Sequence, residues 1–110
     1  NEVGFQVGMT TSNEPGYYEQ NKFGIRIENI CITVKKDAAS ETAGRTFCGF
    51  ETVTMCPLDR RLIKIDMLSM EEIKWIDSYH QEVREKLLGG MQQYWPESVA
   101  YLTAETAQLL

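Results

Sequence analysis

A single histidine, three cysteines and no long apolar run are what this 110-residue sequence is poor in. With His80 alone, no centre built mainly on imidazoles can form from these residues. Cys31, Cys48 and Cys56 are odd in number and lack CxxC spacing, which argues against a disulfide framework or a zinc ribbon. They read instead as buried or half-buried thiols of a reducing compartment. No base stands near any of them in sequence. No stretch approaches the roughly 20 apolar residues that span a bilayer, so no membrane partner is expected. The net charge of −5, without clustered Lys and Arg, argues against a nucleic-acid footprint. There is no glycine-rich phosphate loop, no Ser-His-Asp arrangement, no internal repeat and no low-complexity tract. The N-terminus has neither a basic region nor an apolar signal core, so it does not read as a secretory leader. It also lacks an initiator Met, and the chain is expected to be processed or part of a longer polypeptide.

What is present is ordinary for a globular chain: 43% hydrophobic and 25% charged residues, enough for one domain or part of one. Phe5, Val7 and Met9 share one parity, and a strand is expected over 5–13. Pro15-Gly16 fits the two central positions of a type II turn. The stretch 23–35, rich in Ile and Val, predicts the strongest strand. The small polar segment Asp37 to Arg45 reads as a loop or hairpin tip, followed by a strand from about Thr46 to Cys56. Leu58 to Ile63 reads as extended. The period then changes. Ser69-Met70-Glu71-Glu72 is a capping box, and Ile73, Ile76, Tyr79, Val83 and Leu87 follow at helical spacing. Gly89-Gly90 is expected to stop that helix. A second helix is expected from Pro96 through Val99, Leu102 and Ala107. Strands first and helices last imply an α+β fold.

Two acids stand out. Glu14 precedes Pro15-Gly16, and Glu28 lies within Phe23-Gly24-Ile25-Arg26-Ile27-Glu28-Asn29-Ile30, a run that otherwise reads as sheet core. A buried carboxylate needs a cation or several donors. Arg26, Glu28, Ile30, Ile32 and Val34 share a parity, so they face one side of the sheet if no bulge intervenes. The short polar connection Tyr17 to Lys22 lets the flanking strands pair as a hairpin and brings Glu14 towards Glu28. Paired carboxylates suit divalent metals such as Mn²⁺. The blander alternatives are a solvated turn acid at Glu14 and a solvated strand end at Arg26 and Glu28. His80 has no ligand partner one helical turn away and reads as a packing residue. Trp75, Tyr79, Tyr94 and Trp95 read as helix-packing aromatics, and Asp59-Arg60-Arg61 as a salt-bridged turn.

Asn13-Glu14-Pro15-Gly16-Tyr17-Tyr18, followed by Gly24-Ile25-Arg26-Ile27-Glu28-Asn29, resembles the closing part of the catalytic domain of Xaa-Pro aminopeptidases, members of the pita-bread metallopeptidases. Phe50-Glu51-Thr52-Val53-Thr54, Pro57-Leu58-Asp59, Ile63 and the helix with Trp75, Tyr79 and His80 resemble the C-terminal extension of the long, cytosolic-type aminopeptidase P. The resemblance implies the C-terminal part of a pita-bread fold: residues 1–56 as the end of the catalytic domain and 57–110 as the extension with two helices. It implies removal of an N-terminal residue from peptide substrates with proline in second position. Two divalent metal ions, commonly Mn²⁺, would serve in a cytoplasmic enzyme. By this resemblance Glu28 bridges both metals, Glu14 holds one and handles the proton of the attacking water, and Tyr18 and Arg26 fix the ligand geometry.

The family also requires two aspartates and a histidine from earlier strands, and these are not in the chain. The expectation is a C-terminal fragment that is inert by itself, binds metal weakly or not at all, and has the rest of the same polypeptide as its partner. Cut sheet edges and an exposed apolar face would favour self-association, and the amphipathic helix with its aromatics permits a homodimer contact. The alternative is a pita-bread module that binds peptides or proteins without catalysis; the retention of Glu14, Glu28, Arg26 and Tyr18 together favours the enzyme.

Overall fold

The computed structural model describes residues 3–36 and 47–110. The polar segment from Asp37, the strand start at Thr46 and the first two residues lie outside the described residues. The chain divides into two units, Asn1–Thr54 and Met55–Leu110.

In the first unit β1 (Thr10–Asn13) pairs antiparallel with β4 (Asn29–Lys35), which pairs antiparallel with β5 (Cys48–Thr52). A second sheet is the hairpin of β2 (Gly16–Glu19) and β3 (Phe23–Arg26). The strand expected over 5–13 starts only at Thr10. Met9 N–H donates to the Gln6 carbonyl at 3.0 Å, closing a turn in which Gly8 adopts φ +89°. Gly8 N–H donates to Thr33 O at 2.9 Å and Thr33 N–H to Met9 O at 2.8 Å, so two residues oppose one in a glycine bulge. That extra residue breaks the alternation of Phe5, Val7 and Met9, and all three are exposed.

The single strand expected over 23–35 is two strands, separated at Ile27-Glu28. The expected turn at Pro15-Gly16 does not form. Gly16 has no positive φ and opens β2, opposite Arg26. The chain reverses instead at Gln20-Asn21-Lys22, where Lys22 N–H donates to Glu19 O at 3.0 Å and Asn21 takes φ +60°; asparagine tolerates that left-handed region better than most residues. Proline is the physical reason for the break. Ile27 N–H donates to Pro15 O at 3.1 Å, but Pro15 has no N–H to return. Register survives the gap. Asn13 pairs with Asn29 on one side and Gly16 with Arg26 on the other, leaving two residues on each strand between them. Glu14 therefore stands opposite Glu28, and Pro15 opposite Ile27.

The second unit is built on α1 (Met70–Tyr94) and α2 (Val99–Glu105). The capping box forms as expected: Glu72 N–H donates to Ser69 Oγ at 3.2 Å and Ser69 N–H to the Glu72 carboxylate at 2.8 Å. The bond from Ser69 N–H, and a second from the Ser69 hydroxyl at 2.9 Å, hold the Glu72 carboxyl below its ordinary pKa. Gly89-Gly90 does not end the helix, which continues to Tyr94. A glycine stop uses a left-handed φ, and neither glycine adopts one; within a helix each costs only about 1 kcal/mol relative to alanine. Termination is left to Pro96, which begins a 3₁₀ turn that leads into α2. Leu58 to Ile63 is extended only in part: Asp59 and Ile63 have extended backbone angles, but a turn lies between them. Asp59 accepts from Arg61 N–H at 3.0 Å and caps a 3₁₀ turn at Arg60–Leu62.

Two buried clusters form the core of this unit. Ile73, Ile76 and Leu109 pack with Leu58, Ile63, Ile65 and Leu68, while Tyr79, Val83 and Leu102 pack with Met55, Leu87 and Met91. The C-terminal segment is fastened by polar groups. Arg60 donates to the carbonyls of Ala104, Ala107 and Gln108 at 3.2, 3.0 and 2.9 Å, answering acceptors left open at a helix end. Leu109 N–H donates to Asp77 Oδ1 at 2.9 Å. Only Arg61 of the expected salt-bridged pair reaches Asp59, at 2.7 Å.

Candidate metal centre

Strand alternation sorts the hairpin residues by face. With register kept across the gap, Glu14, Gly16 and Tyr18 lie on the same face as Gly24, Arg26 and Glu28. The expectation that Arg26 and Glu28 share a face therefore holds, although they sit on either side of a ladder interruption. Arg26 joins the group together. Its Nε donates to the Tyr18 hydroxyl oxygen at 2.8 Å, and its Nη1 lies 3.8 Å from Glu28 Oε2. The hydrogen bond to Tyr18 is the first cause holding the guanidinium above its ordinary pKa; the negative charges of Glu14 and Glu28 act in the same direction. Arginine is a cation at any relevant pH, so the consequence is positional: a fixed positive charge faces two carboxylates.

The premise that these acids are buried is corrected by the structure. Glu14 is exposed, and the Glu28 side chain is 41% exposed beside an Arg26 side chain that is 48% exposed. Hydrophobic neighbours in sequence misled that reading, because Ile25, Ile27 and Ile30 are exposed as well. An ion pair this open and this long contributes little to stability. The buried residues of β4 are Asn29, Cys31 and Thr33, on the opposite face.

The donor chemistry fits part of a divalent-metal site. Two carboxylates opposed across a strand pair offer oxygen ligands of the kind hard and borderline cations take. Among the described residues there is no group of three or more His, Cys, Asp or Glu able to hold a metal ion. A metal held here would take two protein ligands from this pair and would need others.

His80 lies in the second unit and is fully buried. Its Nε2 accepts from Leu58 N–H at 3.0 Å, so the neutral ring carries its proton on Nδ1, which has no partner. Burial first, then the Arg60 charge, holds its pKa below the ordinary value. It is a structural histidine, as expected. Cys31 is buried and Cys48 half-buried, but Cys56 is exposed, contrary to the expectation for all three; all are free thiols. Trp75 stacks on Tyr79 at 5.9 Å, yet Trp75, Tyr94 and Trp95 are largely exposed rather than packed inside.

Sequence reasoning passed over Gly16 and Gly24 at this site. A signal was there: Gly-Tyr-Tyr and Gly-Ile-Arg each put a glycine two residues before a chemically important side chain, hence on its face.

Residues 46–109 match the family described as the C-terminal region of peptidase M24. A probable Xaa-Pro aminopeptidase P of Tuber melanosporum is 53% identical over 89 residues, 80% of this chain and 14% of the relative. That of Coprinopsis cinerea is 46% identical over 87 residues, 79% of this chain and 14% of the relative. Among solved structures, the X-prolyl aminopeptidase of Caenorhabditis elegans, described as a cytosolic enzyme with a di-nuclear active site, superposes with a TM-score of 0.83 at 26% identity. The match covers 96% of this chain and 17% of that one. The chain spans about one seventh of the length of these curated relatives, 14%.

Proposed function

This chain belongs to the peptidase M24 family, and on that premise we propose that it is the C-terminal part of an aminopeptidase that releases the N-terminal residue from peptides with proline in second position. The observation that supports the reading is the matched register that sets Glu14 opposite Glu28, on the face that also carries Arg26 and Tyr18. In this reading Glu28 and Glu14 would be the residues of this chain that hold two divalent ions, Glu28 shared between both and Glu14 on one. When bound, such ions activate water and polarise the scissile carbonyl. Arg26 limits the swing of Glu28 by charge, and Tyr18 holds Arg26 through its hydroxyl oxygen. Glu14 is also the group for proton handling at the site. The donor set suits Mn²⁺. The remaining ligands come from the rest of the polypeptide, which also closes over the exposed acid face. A cytoplasmic setting accords with three free thiols and with the C. elegans relative.

The test pairs two samples, the 110-residue chain and the longer polypeptide containing it. The short chain is expected to bind Mn²⁺ weakly by calorimetry and to leave Xaa-Pro peptides intact. The longer one is expected to cleave them and to lose that activity on Glu28→Ala. Cleavage by the pure short chain would refute the reading. Binding of proline peptides by the longer polypeptide without cleavage would point to a non-catalytic binding module instead.

A further inference from the structure

The hairpin that carries Tyr18 and Arg26 has two glycines on their face, and neither is there for its backbone angle. Gly16 opens β2, Gly24 is the second residue of β3, and neither has a positive φ. A glycine in a paired strand loses entropy on folding and contributes no side-chain packing, so it calls for a reason. Space is that reason. A Cβ on Gly16 would meet Tyr18 Oη at 2.5 Å and Cζ at 2.8 Å; one on Gly24 would meet Tyr18 Cδ1 at 2.7 Å. Tyr18 pairs across the strands with Gly24, and Gly16 with Arg26. The ring therefore runs diagonally from above Gly24 to above Gly16 and ends beside the guanidinium, where its oxygen accepts the 2.8 Å bond from Arg26 Nε.

We propose that Gly16 and Gly24 are positioning residues: together they form a bare backbone seat for the Tyr18 ring, which sets its hydroxyl on Arg26 and so orients Glu28. Tyr18 is otherwise loosely held, being 62% exposed. The two bare glycines leave the space in which so open a ring can lie, and the Arg26 bond holds its far end. Any side chain at position 16 strikes the hydroxyl end and lifts it from Arg26. At position 24 it strikes the near edge and tips the whole ring. The effect on Glu28 rests on its reading as a metal ligand; the seat itself does not.

The test is made first by NMR on the 110-residue chain, without metal. Ring-current upfield shifts are expected at the Hα protons of Gly16 and Gly24, absent in Tyr18→Ala, with a protected Arg26 Nε–H resonance that Tyr18→Phe abolishes. Gly16→Ala is expected to abolish both the Gly24 shift and the Arg26 signal. Their retention in that variant overturns the proposal, as does survival of the Arg26 signal in Tyr18→Phe. Should Gly16→Ala fail to fold, Gly16→Ala/Tyr18→Ala decides: removing the ring relieves a seat and restores folding, whereas continued failure means the glycine serves the backbone and the proposal falls. In the longer polypeptide, Gly16→Ala and Tyr18→Phe are each expected to weaken Mn²⁺ binding about tenfold, without adding when combined. If Mn²⁺ affinity is unchanged in a variant whose Arg26 signal has vanished, the link to Glu28 is overturned and the seat stands.

Discussion

His80 and Glu28 show how differently the two units treat an ionisable side chain. In the helical unit His80 is wholly enclosed, and its protonation state is tied to one hydrogen bond from Leu58. In the strand unit Glu28 and Glu14 are open to solvent; Glu28 meets Arg26 in a long ion pair, and Glu14 acts on that guanidinium through its charge. The helical unit uses its polar groups internally: Arg60 closes the end of α2, Asp77 holds Leu109, and Tyr79 donates to Cys56 O at 2.7 Å. The strand unit keeps its conspicuous polar side chains on an open face. Residues whose partners are within the chain stabilise the fold. Residues on the open face contribute almost nothing to it and are free to serve chemistry.

The contrast can be broken most directly at Leu102, which is 2% exposed among Tyr79 and Val83. Leu102→Ala is expected to destabilise the helical unit by about 2–5 kcal/mol, through lost transfer energy and the cavity left behind. Urea unfolding followed by helical ellipticity measures it, and a loss below about 1 kcal/mol would mean that the unit lacks a self-contained core.

Acid should separate the units next. Since the folded His80 pKa lies below that of the unfolded chain, near 6.5, the native state favours the neutral ring. The associated stability is complete above the unfolded value and is lost as pH falls through the depressed one. Arg60 and Arg84 act with burial, whereas Asp77 and Glu105 oppose it. Urea midpoints from a pH series should fall on the acid side for the native chain and fall less steeply for His80→Gln. Identical profiles would show that burial of His80 carries no linkage.

The smallest effect is expected at Glu28. Glu28→Gln should change stability by no more than about 0.5 kcal/mol, as at an ordinary exposed position. A loss well above that would place Glu28 among the structural residues and undo the distinction between the units.

How much of this was legible in the sequence depended on the range of the forces involved. The capping box at Ser69 and the helical spacing of Ile73, Ile76, Tyr79 and Val83 are local patterns, and they appear where expected. The motif around Glu14 and Glu28 pointed to the family before any geometry was known. Boundaries were less legible. The bulge at Gly8 depends on a bond to Thr33, and the division of 23–35 depends on a proline twelve residues earlier, opposite Ile27. Burial was the least legible: Ile25, Ile27 and Ile30 promised a core that this chain does not assemble around them.

Sequence alone determined the residue types of the candidate centre and its family, because a Glu-Pro-Gly-x-Tyr and a Gly-x-Arg-x-Glu pattern carry their chemistry in fixed spacing. It also determined strands before helices, since hydrophobic period is a local property. The sequence brought Glu14 towards Glu28, but tertiary pairing alone decided the register that sets them opposite, that the ladder opens at Pro15 without losing that register, and that Tyr18 lies across two glycines to reach Arg26. Those are relations across paired strands, set by which N–H meets which C=O and by where a side chain is absent.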